Sequence, residues 1–356
     1  MATKKIDPQL GFWEIADLQL AKLSILGVTL YASLTGIFRS DKFPKKFKHH
    51  VMGASIRAMI ERLSNRQMQY YFPSTQELYA SCTKKRGLKP EVISLPHDAE
   101  GFWLGNKNAK KIVIYYHGGG FAMSAIPSHL DFWLDFLQAA KDDGHDVAVF
   151  FLHYSLTPSS KYPTQLRQAV EALRYIVTDT DCSPRNVVVG GDSAGGNLAI
   201  AVLLHLSHPN PKIDPLPLST PLAGVFCHAP WIDFKYDWPS MKENAYRDII
   251  TAVGLEKWSG SYLNGKPGDS WSEPSSAPVQ WWAGAKTEQI LLLAGGHEIL
   301  LSSIDDFAKK IKSVFPNTTY IVGPDESHDA HLFLEANAKD GTHTSREVRK
   351  WVLSRL

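Results

Sequence analysis

From about Glu91 to its end, the chain alternates short apolar runs with longer amphipathic stretches. Val187-Val188-Val189 is a β-branched run, and Lys111-Ile-Val-Ile-Tyr-Tyr116 is almost continuously apolar. Runs of this length between turn-forming residues predict strands covered on both faces. The pattern predicts strands over Glu91–Leu95, Gly101–Gly105, Lys111–Tyr116, Val147–His153, Asn186–Val189, Ala223–His228, Gln289–Ala294 and Thr319–Val322. Helices are predicted over Ser128–Lys141, Pro163–Thr178, Ala194–His208, Ser302–Val314 and Ser345–Leu356. Strands alternating with helices imply an α/β class with a mostly parallel eight-stranded sheet.

Two regions fall outside this rhythm. Residues 51–90 look helical with polar flanks, and Leu23–Phe38 runs 16 residues without a charge. A membrane-spanning helix needs about 20, and extending back to Ile15 takes in Asp17, Gln19 and Lys22. A basic run follows: Lys42, Lys45, Lys46, Lys48, His49 and His50. Two readings result, a membrane-associated helix with cationic flanks across residues 15–48, or a buried or substrate-lining cap helix beside a solvated basic face. Between Pro230 and Thr287 the alternation stops, and Trp231, Trp238, Trp258, Trp271, Trp281 and Trp282 cluster among Pro, Ser and Gly. An irregular stretch of that length reads as an excursion over the sheet edge that serves a function.

Composition narrows the classes. The chain has 356 residues, 44% hydrophobic and 21% charged, as in an ordinary globular protein. A net charge of +2 gives no reason to expect a nucleic-acid partner. The three scattered cysteines, Cys82, Cys182 and Cys227, lack metal-ligand spacing and fit a reducing, cytoplasmic setting. Contact with the endoplasmic reticulum membrane follows if the apolar helix is membrane-associated. No signal-peptide pattern is recognisable, and no metal or organic cofactor is expected.

Chemistry concentrates in four segments. Gly191-Asp192-Ser193-Ala194-Gly195 lies between a predicted strand and a predicted helix, the setting of a nucleophile elbow. Glycines are needed there because the serine is strained and its neighbours must be small. His117-Gly118-Gly119-Gly120-Phe121 follows the third strand. Gly118, Gly119 and Gly120 let the backbone approach a substrate and orient two N–H donors toward a developing oxyanion, with the Ala194 N–H as a third. On such an elbow the acid and then the histidine follow the nucleophile in the chain. Glu298 stands at the end of the seventh strand, while Asp305 and Asp306 fall inside the next helix. His328 and His331 both lie past the last strand; His328 is followed by small residues, and His331 begins an apolar stretch and reads also as a cap. Glu298 and His328 are the preferred partners of Ser193.

Together these segments resemble the hormone-sensitive-lipase-like, H-G-G-G branch of the α/β-hydrolases, over roughly residues 90–335. Tyr154-Ser-Leu-Thr-Pro158 and His228-Ala-Pro-Trp-Ile-Asp233 are similar to further family stretches. The look is nearest to fungal esterases and steryl acetyl hydrolases, some of them in secondary-metabolite pathways, and this supports His328-Asp329-Ala330 as the base region. Two positions depart from the family: Glu298 stands where Asp is usual, and Ala229 replaces a serine before Pro-Trp. The resemblance implies an α/β-hydrolase domain over 91–356, with a cap built from residues 1–90 and an insertion at about 230–285. It implies an esterase or deacetylase acting on a small-molecule ester with a bulky apolar group, such as a terpenoid, sterol or polyketide. Acyl transfer, lactonisation or rearrangement by the same residues, and ligand binding without catalysis, are the alternative outcomes.

Overall fold

The computed structural model describes residues 9–334, 336 and 341–356. Its centre is one eight-stranded sheet: β1 (Val92–Leu95), β2 (Ala99–Gly105), β3 (Lys111–Tyr116), β4 (Val147–His153), β5 (Val187–Asp192), β6 (Gly224–His228), β7 (Ile290–Gly295) and β8 (Thr318–Gly323). The spatial order is β1-β2-β4-β3-β5-β6-β7-β8. Only the β1–β2 and β2–β4 pairings are antiparallel; from β4 to β8 every neighbour is parallel. All eight strands thus lie where the apolar runs predicted them. β5 reaches three residues further than expected, because Gly190, Gly191 and Asp192 continue the ladder opposite Phe226, Cys227 and His228.

Eleven helices surround the sheet among the described residues: α1 (Phe12–Thr35), α2 (Phe47–Arg62), α3 (Asn65–Tyr71), α4 (Thr75–Lys85), α5 (Pro127–Asp142), α6 (Thr164–Thr178), α7 (Ser193–Ser207), α8 (Pro239–Glu243), α9 (Ala252–Leu263), α10 (Leu301–Val314) and α11 (His343–Arg355). Side chains alternate across each strand. Ile112, Ile114, Tyr116, Val187 and Val189 therefore pack under α6 and α7, whereas Val113, Tyr115 and Val188 pack under α5 and α11. Both faces are dry, which is why these strands carry no polar alternation.

The N-terminal helices dock on the irregular segment. α1 packs along α2, and α2 packs on α9. Lys257 of α9 donates to the Ile60 and Leu63 carbonyls at the end of α2. Gln69 of α3 donates to the Ala122 and Thr157 carbonyls at 2.6 and 2.7 Å, tying this layer to the loop after β3. α1 is not the buried helix of one sequence reading: only Leu18, Ala21 and Ala32 along it are buried.

Candidate active site

β5 is buried throughout and lies between β3 and β6, so whatever follows it emerges at the middle of the sheet's carboxyl edge. α7 starts immediately, with no linking residue, and the turn is made at Ser193, whose φ is +50°. A non-glycine residue in that region is strained. The turn closes only because its neighbours lack side chains. A Cβ on Gly195 would lie 1.9 Å from the Tyr116 carbonyl oxygen, and one on Gly191 would lie 2.4 Å from Gly195. The Trp231 N–H donates to the Ser193 carbonyl at 3.0 Å, and Asn197 donates to the Trp231 and Ser272 carbonyls at 2.8 and 2.9 Å. The irregular segment is thereby pinned to the elbow.

The glycine loop leaves β3 beside it. Gly119 and Gly120 take φ of +103° and +60°, and among the described residues neither N–H pairs with a backbone carbonyl. A Cβ on Gly120 would lie 2.4 Å from the Trp258 ring. Phe121 stacks on Tyr262 with ring centres 3.8 Å apart. Gly118 differs from its neighbours: its N–H is already donated to Asp192 Oδ1 at 2.9 Å. The expectation that Gly118 supplies an oxyanion donor is corrected accordingly, since a committed N–H cannot also face a substrate. It locks the loop to the elbow instead.

Glu298 and His328 come together from separate loops, with His328 Nδ1 3.3 Å from Glu298 Oε2 and both side chains buried. Burial pushes the His328 imidazole below its ordinary range and raises the Glu298 carboxyl well above its own. A neutral imidazole is the form a general base needs. His331 has no contact with Glu298 among the described residues and stacks on His228 with ring centres 4.1 Å apart. Asp305 accepts from the Tyr320 hydroxyl, and Asp306 pairs with Lys310 on the exposed face of α10. Neither alternative acid touches a candidate base. Among the described residues Ser193 Oγ has no hydrogen bond, and His328 Nε2 lies 3.2 Å from Asp329 Oδ2.

Residues 113–332 match the alpha/beta hydrolase fold family. The chain belongs to that family. Its curated relatives include an acetyl-hydrolase of Streptomyces hygroscopicus, 30% identical over 50% of this chain and 56% of that protein. Steryl acetyl hydrolase 1 of Saccharomyces cerevisiae is 29% identical over 46% of this chain and 34% of its own length. The matches thus span less than two-thirds of either relative. Among solved structures, an esterase of the bacterial hormone-sensitive lipase family superposes with a TM-score of 0.67 at 21% identity, covering 88% of this chain and 99% of that one. At that identity the likeness establishes the hydrolase fold alone.

Within this alpha/beta hydrolase frame, three carboxylates join the site that sequence reasoning did not single out. Asp248, in the irregular segment, accepts from the His328 and Ile249 N–H groups through Oδ1 at 2.9 and 2.6 Å, and from the Ile299 N–H through Oδ2 at 2.6 Å. It therefore ties the loop of Glu298 to the loop of His328. Asp192 accepts from Tyr115, Gly118 and His129 behind the elbow. Burial works to raise its carboxyl, but His129, Tyr115 and His117 outweigh burial and hold it below the ordinary range. Asp329, at φ +45°, is pushed well above that range by burial and by Asp192. Asp192 and Asp329 are the sequence neighbours of Ser193 and His328, a signal that adjacency offered. Asp248 had none, because nothing periodic surrounds it.

His228, Asp329 and His331 place donor atoms within 4.8 Å of one another. The two imidazoles stack at an interplanar angle of 14°, which sets their lone pairs side by side rather than toward one point. This arrangement closes no coordination sphere.

Proposed function

We propose that the protein is a serine carboxylic-ester hydrolase, an esterase or deacetylase, working through Ser193, His328 and Glu298. The observation that carries this reading is the buried Glu298–His328 contact, formed from two loops at the same sheet edge as the strained serine. In the reaction Ser193 Oγ attacks the ester carbonyl carbon while its proton passes to His328 Nε2. The oxyanion is met by the N–H groups of Gly119, Gly120 and Ala194. His328 returns the proton to the leaving alcohol as the C–O bond breaks. A water molecule, deprotonated by the same nitrogen, then releases the carboxylic acid and restores the serine. Glu298 holds the imidazole by Nδ1 and stabilises the imidazolium.

The acetyl-hydrolase names of the relatives and the aromatic ring layer around the glycine loop, Phe121, Trp258 and Tyr262, support an ester with a small acyl and a bulky apolar alcohol part. The N-terminal helices and residues 230–285 are read as the cap that selects it, and residues 15–48 as a peripheral membrane contact of a cytoplasmic enzyme. Ser193→Ala should abolish hydrolysis of p-nitrophenyl acetate and labelling by a fluorophosphonate. Full turnover in that variant would overturn the mechanism, and an unlabelled wild-type Ser193 would favour a non-catalytic binder.

A further inference from the structure

α1 leaves a long apolar side that none of the described residues covers. Its inner side packs Leu18 and Ala21 on the core and adds polar groups that bond to the body of the molecule. Asp17 pairs with Arg62 of α2 and accepts from Gln67, Glu14 pairs with Arg66, and the Thr29 hydroxyl meets the Ser55 hydroxyl at 2.8 Å. Its outer side is apolar and open: Trp13 is 81% exposed, Leu23 65%, Tyr31 70% and Leu34 74%, and the helical turn beyond ends at Phe38, 84% exposed. Soluble monomers seldom leave a contiguous apolar stripe of this size uncovered. Past the end of the stripe, Lys42, Lys45, Lys46 and Lys48 are all exposed, and Phe47 among them is 42% exposed.

A cavity of about 440 Å³ opens beside the stripe, between α1, α2 and the segment at 241–253. Val28 of α1 belongs to both surfaces, lining the cavity and standing 38% exposed. Tyr246 and Val253, also lining it, are exposed apolar groups, and Ile299 at its wall is the residue after Glu298.

We propose that α1 is an interfacial helix that lies flat on an anionic lipid bilayer, with its inner side latched to the protein, its exposed apolar side among the acyl chains and the lysines at the headgroups, so that the cavity mouth faces the membrane. The latch argues for lying flat rather than spanning, because a spanning helix would have to leave the ion pairs of Glu14 and Asp17 behind. Positive charge next to the apolar stripe selects a bilayer with acidic headgroups over a second protein copy, whose own lysines would repel it. Only the role of the cavity, as the route by which a membrane-dissolved ester is drawn in, rests on the ester-hydrolase reading.

The test is sedimentation of the full chain with phosphatidylcholine vesicles, with and without phosphatidylserine. The wild type should pellet with the phosphatidylserine vesicles, weaken with salt, and be released by alkaline carbonate. The variant Leu20→Gln/Leu23→Gln/Leu34→Gln should lose about tenfold or more in vesicle binding, and Lys42→Gln/Lys45→Gln/Lys48→Gln should lose the preference for the acidic lipid. Both should keep the wild-type melting temperature and circular dichroism, which report an intact fold. Wild-type protein that stays in the supernatant with every vesicle would overturn the proposal. So would carbonate-resistant insertion, which means spanning, or a dimer in gel filtration that the leucine variant dissolves. Vesicle binding without any ester turnover would leave the proposal standing and sink the hydrolase reading instead.

Discussion

His328 Nε2 lies 3.2 Å from the carboxylate oxygen Oδ2 of its own neighbour Asp329, with both side chains buried. In the mechanism that nitrogen must take the proton of Ser193, so Asp329 competes with the nucleophile for it. When protonated, Asp329 donates to Nε2 and occupies the lone pair that the reaction needs. When ionised, it frees the lone pair and stabilises the imidazolium. Burial and Asp192 hold the Asp329 carboxyl well above its ordinary range, so the change falls at higher pH than for an exposed aspartate. Asp329→Asn keeps a donor at every pH and tolerates the left-handed backbone at φ +45°. The ascending limb of kcat against pH should flatten in this variant, and its rate at the upper plateau should fall. Superimposable pH profiles would show that Asp329 does not govern Nε2.

The acid is tested by length as well as charge. Glu298→Gln retains the shape but presents an amide to Nδ1 and cannot stabilise imidazolium, so kcat should fall by roughly 10³ to 10⁴. Glu298→Asp, one methylene shorter, should lose less. Asp305→Asn and Asp306→Asn should stay within a few-fold of wild type, because those carboxylates bond Tyr320 and Lys310. An inactive Asp305→Asn with a native melting point would reassign the acid.

The two histidines of the last loop separate cleanly. His328→Asn should abolish turnover. His331→Asn should remain active within about tenfold while losing about 1–3 kcal/mol of stability, the usual effect of disturbing a buried polar group. Equal losses of kcat in both variants, measured on folded protein, would contradict the assignment of the base.

How much of this was legible in the sequence depends on where the determining forces lie. Strands such as Val187–Val189 were readable because burial on both faces demands unbroken apolar runs, and the serine because Gly191 and Gly195 are required wherever backbone meets backbone that closely. The glycine loop was readable as a segment, but the separate task of Gly118 was not, since only the position of Asp192 across the turn commits its N–H. α1 was legible as an apolar helix, but not as one that leaves an apolar side uncovered. A pattern shows which positions are polar, and only the contacts with Arg62, Gln67 and Ser55 show which side faces the protein. Asp248 stayed hidden because the two partners that matter to the site are backbone N–H groups 51 and 80 residues away, and it lies in a segment with no periodicity.

The glycine loop should be sensitive to a single methyl group. Gly120→Ala places a Cβ on a residue at φ +60° and 2.4 Å from the Trp258 ring. The loop must shift, and displacing one oxyanion donor costs about 10² to 10³ in kcat. The loss should fall on kcat, with fluorophosphonate labelling slowed in proportion. If Gly120→Ala/Trp258→Ala restores the rate, the contact with the ring caused the loss; if it does not, the backbone angle did. Wild-type kcat in Gly120→Ala alone would remove Gly120 from the oxyanion site.

Asp248 offers a test in which a positioning role and a merely structural one diverge. Its carboxyl is raised to about 6 by burial, from an ordinary value of 3.8. Below 3.8 it is neutral in both the folded and unfolded chains. Between 3.8 and 6 the unfolded chain releases its proton while the folded chain retains it, so this group's contribution to stability falls as pH rises across that window and is constant above it. A shift of two units corresponds to about 3 kcal/mol. Asp248→Asn removes the titration, so its stability relative to wild type should improve on going from pH 4 to pH 6.5. At the same time it turns an N–H₂ toward one of the backbone donors from His328, Ile249 and Ile299, leaving it unpaired at a cost of about 1–3 kcal/mol. The anchor between the Glu298 and His328 loops then loosens, and kcat should drop by about ten- to a hundredfold with KM little changed. A variant with parallel stability curves across that pH range and an unchanged kcat would show that Asp248 is ionised throughout and holds neither loop.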